Sequence, residues 1–122
     1  MCGIMGYIGE ENAAPVILDG LKKLEYRGYD SAGIAVLGSN GFDVVKRTGR
    51  LSVLESALAE RPLKGSVGIG HTRWATHGEP SNVNSHPHLG SQKKRAIVHN
   101  GIIENYKKLR EELESKGVCF VS

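Results

Sequence analysis

Apolar residues recur along the chain in two rhythms, and the change from one to the other predicts the elements. Residues 2–8 (CGIMGYI) read as a short strand carrying unusual glycines. Over 12–26 the apolar positions open out to three and four apart. Val16, Ile17, Leu21 and Leu24 share one side and Gly28 follows, which predicts a helix and its stop. Residues 31–37 (SAGIAVL) and 42–46 (FDVVK) read as strands joined at Asn40-Gly41, a hairpin signal. Ser52-x-x-Glu55 has the form of a capping box, opening a short helix that stops before Pro62. Residues 67–72 (VGIGHT) and 96–99 (AIVH) read as buried strands, and the polar, turn-rich stretch 78–92 between them as a loop. The clearest helix is 103–116. There Ile103, Tyr106, Leu109 and Leu113 lie on one side, Gly117 closes the end, and Arg110 and Glu114 pair four apart in the weaker charge order. Residues 118–121 (VCFV) begin a further strand. A last strand needs partners, so the chain is expected to be a piece of a larger protein. The order of elements predicts an α+β domain.

Composition narrows this little but usefully. A length of 122 residues suits one domain, and 39% hydrophobic with 24% charged residues falls in the globular range and not the disordered one. No apolar run approaches the roughly 20 residues of a membrane helix, and no basic stretch precedes the apolar N-terminus, so neither membrane nor export is expected. The net charge of +3 is scattered, with Lys93-Lys94-Arg95 as its one cluster, and aromatic residues make up only 6%. Nucleic-acid binding is not expected on that basis, whereas a small anionic substrate suits the charge. Two cysteines, Cys2 and Cys119, are too few for a disulfide framework, which makes a reducing cytoplasm the expected location.

Three places carry residues able to do chemistry. Cys2 directly follows the initiator Met1, so loss of Met1 would put a thiol and a free α-amine on one residue. With reference pKa values of about 8.5 and roughly 7.7–8.0, the amine can serve the thiol as base. The bland reading is a small buried hydrophobe, and Gly3 and Gly6 weigh slightly against it by allowing close approach to the backbone. In His71-Thr72-Arg73-Trp74-Ala75-Thr76-His77-Gly78 a strand delivers an Arg suited to gripping a carboxylate by two parallel bonds. Arg73 in a structural ion pair and Trp74 in the core explain the same spacing equally well. Asn100-Gly101 offers an amide and a backbone N–H to an oxyanion, or simply a turn before the helix, which the dipeptide alone favours. The five histidines, including His86-Pro87-His88, include no HExxH and are joined by no CxxC, so a metal site has weak support and none is expected. No phosphate-cradling glycine motif is present either.

Together CGIMGYIG, LEYRGYDSAGIAV, HTRWATHGEPS, NSHPH and VHNGIIEN resemble, in order and across the chain, the N-terminal glutaminase domain of the class II glutamine amidotransferases. The resemblance implies the N-terminal-nucleophile hydrolase fold, a four-layer αββα sandwich, here truncated, with residues 1–122 its N-terminal part. It implies Cys2 as nucleophile with its own α-amine moving protons, glutamine yielding a γ-glutamyl thioester and ammonia without a cofactor. A retained Met1 would acylate that amine and remove the base. By the same resemblance Asn100 and Gly101 form the oxyanion hole, Arg73 grips the glutamine α-carboxylate, and Thr76 and His77 neighbour it. Trp74 gates ammonia, and the loop from Arg73 onward is the lid. His86 and the 27–30 turn lie in motifs near the site and the domain interface, while an acidic residue just past Ser122 would bind the α-amine. The wording is nearest to the branch whose second, sugar-isomerase domain uses the ammonia to convert fructose 6-phosphate to glucosamine 6-phosphate in a homodimeric cytoplasmic enzyme.

Overall fold

The structure, a computed structural model, describes residues 2–122. Met1, and with it the expected maturation of the N-terminus, lies outside the described residues. Four strands, β1 (Gly3–Ile8), β2 (Ser31–Gly38), β3 (Gly41–Thr48) and β4 (Val67–Arg73), form one antiparallel sheet in the order β1-β4-β2-β3. Register settles which side chains share a face. Gly3 and Ala32 both lie opposite Thr72, and Met5 and Ile34 both lie opposite Gly70. By the two-residue period of a strand, this set looks one way, and His71, Arg73, Ile4 and Gly33 look the other.

The first face carries the core. Helices α1 (Ala13–Leu24) and α2 (Leu51–Glu60) cover it, burying Ala13, Ile17 and Leu21 from α1 and Leu51 and Leu54 from α2 against Ile34, Val36 and Val45. Helix α1 lies close because β4 has glycines beneath it. A Cβ on Gly70 would run into Ile17 Cγ2 and stand 3.3 Å from Leu21 Cδ1. G70V is therefore expected to cost about 1–3 kcal/mol by overpacking, read as a fall in melting temperature of at least about 5 °C. The second face is covered by irregular chain. A Cβ on Gly33 would collide with the His86 carbonyl, and the Lys46 ammonium donates to the carbonyls of Val83 (3.2 Å) and Ser85 (2.9 Å). Burial lowers the Lys46 pKa from its ordinary value. Beyond lie a two-stranded ribbon, β5 (His88–Leu89) and β6 (Ala96–Ile97), and helix α3 (Tyr106–Ser115).

Several boundaries differ from the sequence expectation, each for a local reason. α1 gives way after Leu24 to a 3-10 turn over Glu25–Arg27, and Gly28 follows at φ +79° as its position predicted. The β2–β3 turn is centred one residue earlier, since Gly38 pairs with Gly41. α2 starts at Leu51, which leaves Ser52 inside the helix and unable to cap it; the Tyr29 hydroxyl instead accepts the Leu51 N–H at 2.7 Å. The 96–99 strand shortens to β6 and is not buried, Ile97 being 61% exposed. The 78–92 loop contains β5. α3 begins three residues late, and no residue of it is buried. Residues 118–121 form no strand; Val118 N–H instead closes the end of α3 on the Leu113 carbonyl (3.0 Å). Gly3 is needed for close approach, with Leu24 Cδ1 and Thr72 Oγ1 at 2.7 and 2.9 Å from its would-be Cβ, but Gly6 faces open space.

Candidate active site

The second face of the sheet opens into a pocket of about 470 Å³ where β1 and β4 end side by side. Antiparallel pairing of Gly3 with Thr72 brings Cys2 beside Arg73 and Trp74, seventy residues away in sequence. The Trp74 N–H donates to Cys2 Sγ at 3.3 Å, and the thiol lies 3.7 Å from the Trp74 carbonyl. Cys2 is half-buried and lines the pocket.

The 27–30 turn holds that arrangement. Asp30 donates its backbone N–H to the Arg73 carbonyl (2.7 Å), and its carboxylate accepts the Ala75 N–H (2.6 Å). Both sides of Trp74 are thus pinned, which aims its peptide at the sulfur, while the indole stays half-exposed. Arg73 is 8% exposed and donates to the carbonyls of His77, Gly78 (3.5 Å) and Glu79 (3.3 Å), curling the 74–79 loop around its guanidinium. Thr76 and His77 are exposed on that loop and line the pocket. Arg73 has no carboxylate partner among the described residues, so the ion-pair alternative does not hold here.

Asn100 and Gly101 close the site from the other side. The Asn100 amide donates to the Cys2 carbonyl at 3.3 Å, and its Oδ1 lies 2.7 Å from His71 Nε2. Gly101 lines the pocket at φ +152°. All seven residues expected at the site are thus gathered around one thiol.

Others were not singled out as site residues by the sequence. Asn84, Tyr106 and Arg110 also line the pocket, as does His88, weighed in the sequence only as a metal ligand, and the His77 ring meets the Tyr106 ring edge-on at 5.1 Å between centroids. Tyr106 and Arg110 sit one helical turn apart, so a pocket-facing stripe was legible there, although the same pattern equally describes a core-facing one. Cys119 is exposed and does not line the pocket.

Three histidines cluster beside the pocket, His86 stacking on His71 and meeting His88 edge-on. The His86 ring lies 4.5 Å from both His71 and His88, and His86 Nδ1 accepts the His99 N–H at 3.3 Å. Burial, then the charges of His71, His88, Arg73 and Lys46, pushes His86 down to about 3, and burial with Lys46, Arg73 and His71 pushes His88 down to about 4. Burial also lowers His71, against a smaller upward pull from Asn100. Among the described residues no group of three His, Cys, Asp or Glu is arranged to hold a metal ion.

The stack carries a pH dependence. An unfolded histidine titrates near about 6.5, so below that pH the unfolded chain takes up protons that folded His86 and His88 refuse. Their contribution to stability is complete above the unfolded value and is lost as pH falls toward the folded ones. The melting temperature is expected to drop between about pH 7 and about pH 5, and an H86Q/H88Q chain to show a shallower drop.

Comparison with known proteins places this geometry. A family model described as a glutamine amidotransferase domain matches residues 63–122. Over all 122 residues the chain is 60% identical to the glutamine–fructose-6-phosphate aminotransferase (isomerizing) of Clostridium perfringens and 58% identical to that of Thermus thermophilus. Over its whole length the chain is similar to the glutamine amidotransferase parts of these proteins. It spans about a fifth (20%) of the length of those relatives. Among solved structures, the glutamine phosphoribosylpyrophosphate amidotransferase of B. subtilis superposes at TM-score 0.78 with 28% identity, covering 98% of this chain and 26% of that one. An allosteric regulatory enzyme of purine biosynthesis does so at 0.79 and 29%, with the same coverage. The amidotransferase domain therefore has the N-terminal-nucleophile fold. Of the expected layers, the described residues supply the two helices on one face, the four-stranded sheet and the two-stranded β5–β6 ribbon. No helix among the described residues is long and apolar enough to cross a membrane.

Proposed function

We propose that this domain hydrolyses L-glutamine to glutamate and ammonia with Cys2 as nucleophile. The observation that carries the reading is the convergence of Cys2, Arg73, Thr76, His77 and Gly101 on one pocket, with the Asn100 amide 3.3 Å from the Cys2 carbonyl. Once Met1 is removed, the Cys2 α-amine takes the thiol proton, and sulfur attacks the side-chain amide carbon. Asn100 Nδ2 and the Gly101 N–H receive the negative charge that forms on oxygen. The amine then passes the proton to the departing nitrogen. Ammonia leaves, and water cleaves the γ-glutamyl thioester, restoring the thiol. Arg73 binds the α-carboxylate, Thr76 and His77 complete that end of the pocket, and Trp74 gates the departure of ammonia.

Ammonia near neutral pH is mostly protonated and therefore a poor nucleophile, which favours making it in a closed site and handing it on. The identity with the aminotransferases supports a whole protein in which residues 1–122 begin the glutaminase domain. A sugar-isomerase domain would then use the ammonia to turn fructose 6-phosphate into glucosamine 6-phosphate. A homodimeric, cytoplasmic parent belongs to the same reading.

Labelling tests it directly. After incubation with a glutamine chloroketone, intact mass and peptide mapping should show a Met1-free chain with one adduct on Cys2, blocked by excess glutamine. Labelling confined to Cys119, or labelling of Cys2 indifferent to glutamine, would overturn the reading.

A further inference from the structure

We propose that His71 is a positioning residue that sets which end of the Asn100 amide faces Cys2. The inference rests on the oxyanion role given to Asn100 above. An Asn amide is nearly symmetric in shape but not in chemistry, since one end donates twice and the other only accepts. Turned about, it would present oxygen to a developing oxyanion and repel it. Something beside Asn100 must therefore distinguish the two ends.

The Cys2 carbonyl accepts from Asn100 Nδ2 at 3.3 Å, a long and partly exposed contact. The closer contact is on the other end, where His71 Nε2 lies 2.7 Å from Oδ1. For that contact to be attractive, Nε2 must carry the proton. Nδ1 is buried and meets no partner among the described residues, so nothing on that side holds a proton in competition. Burial and the Arg73 charge keep the ring neutral, leaving one N–H to place. That N–H can donate only to the oxygen end of the amide.

The ring itself cannot turn away. His71 is fully buried on β4, opposite Ile4 on one side and Gly33 on the other, and stacks on His86 at 4.5 Å. A residue held this firmly, two positions before Arg73 on the same face, is well placed to orient a group on the exposed turn at Asn100.

The test uses the full chain and compares H71N, H71Q and N100A, with the H71N/N100A double variant, by kcat and KM for glutamine hydrolysis. Gln can bring a donor to the place of Nε2, whereas the Asn side chain is too short. H71N should lower kcat by about tenfold or more, part of the about 10²–10³-fold lost with an oxyanion donor, and leave KM within about twofold. H71Q should recover most of that loss, and H71N should add nothing in the N100A background. N100A at the wild-type rate would overturn the oxyanion reading and this inference together. N100A slow with H71N unaffected would overturn this inference alone, as would independent, multiplying losses. Should H71N fail to fold, ¹⁵N NMR of the unaltered chain decides, because a proton on Nδ1 of His71 would exclude the arrangement and one on Nε2 would support it.

Discussion

Changing Cys2 to alanine is expected to reduce glutamine hydrolysis to background, a loss on the order of 10⁶ in kcat if the covalent route carries the reaction. No other group in the pocket can take over. Thr76 and Tyr106 line it, but their hydroxyls have no adjacent amine to accept a proton as the Cys2 α-amine would. The fold should survive. Cys2 precedes β1, is half-buried, and contributes its backbone carbonyl and not its side chain to the Asn100 contact. C2A should therefore melt within about 1 kcal/mol of the parent and bind glutamine with an unchanged dissociation constant, measured by calorimetry. C2S retains an oxygen nucleophile of much weaker acidity and is expected to stay near background as well. Ammonia release from C2A above one-hundredth of the parental rate would mean that another residue attacks the amide.

How much of this was legible beforehand depended on whether the deciding interactions were local. β1, α1 and β2 were readable because their patterns face one continuous core, and Ile17, Leu21 and Ile34 are fully buried in it. The end of the chain was read less well for the opposite reason. Ile103, Leu109 and Leu113 have helical spacing, yet 40–55% of each stays exposed, so no packing extends the helix to its predicted start. The capping box failed because Tyr29, more than twenty residues away, supplies the partner that Ser52 was expected to supply. Site residues were recognised from their wording, not from spacing. Residue by residue, Arg73 had an equally good structural explanation, and for Asn100 a plain turn was the better one. What brings them together is the pairing of β1 with β4 and the return of the chain at Asn100. His71 was named in its motif but given no role there, because a buried strand histidine has no local signature and its partner lies 29 residues on.

The second large effect is expected at Arg73, and it should fall mainly on binding. Its guanidinium does two things at once. Three of its five N–H donors go to the carbonyls of His77, Gly78 and Glu79, which gives the 74–79 loop its curl, and the rest are left for a carboxylate in the pocket. R73A removes both. A charge-assisted hydrogen bond contributes about 1.5–3 kcal/mol, so losing two from the substrate alone predicts a KM for glutamine raised by about 10²-fold or more. R73K separates the two functions. An ammonium is a point charge without the planar fork, so it can attract the carboxylate but cannot also span three carbonyls. It should raise KM by about tenfold and loosen the loop, seen as faster amide exchange at Ala75. The decisive comparison is with a substrate whose α-carboxylate is replaced by a carboxamide. The parent should discriminate strongly against it, whereas R73A should treat the two alike, because the discriminating charge is gone. If R73A kept the parental preference, the carboxylate would be read by another group, and Arg73 would be left as the internal brace of its own loop.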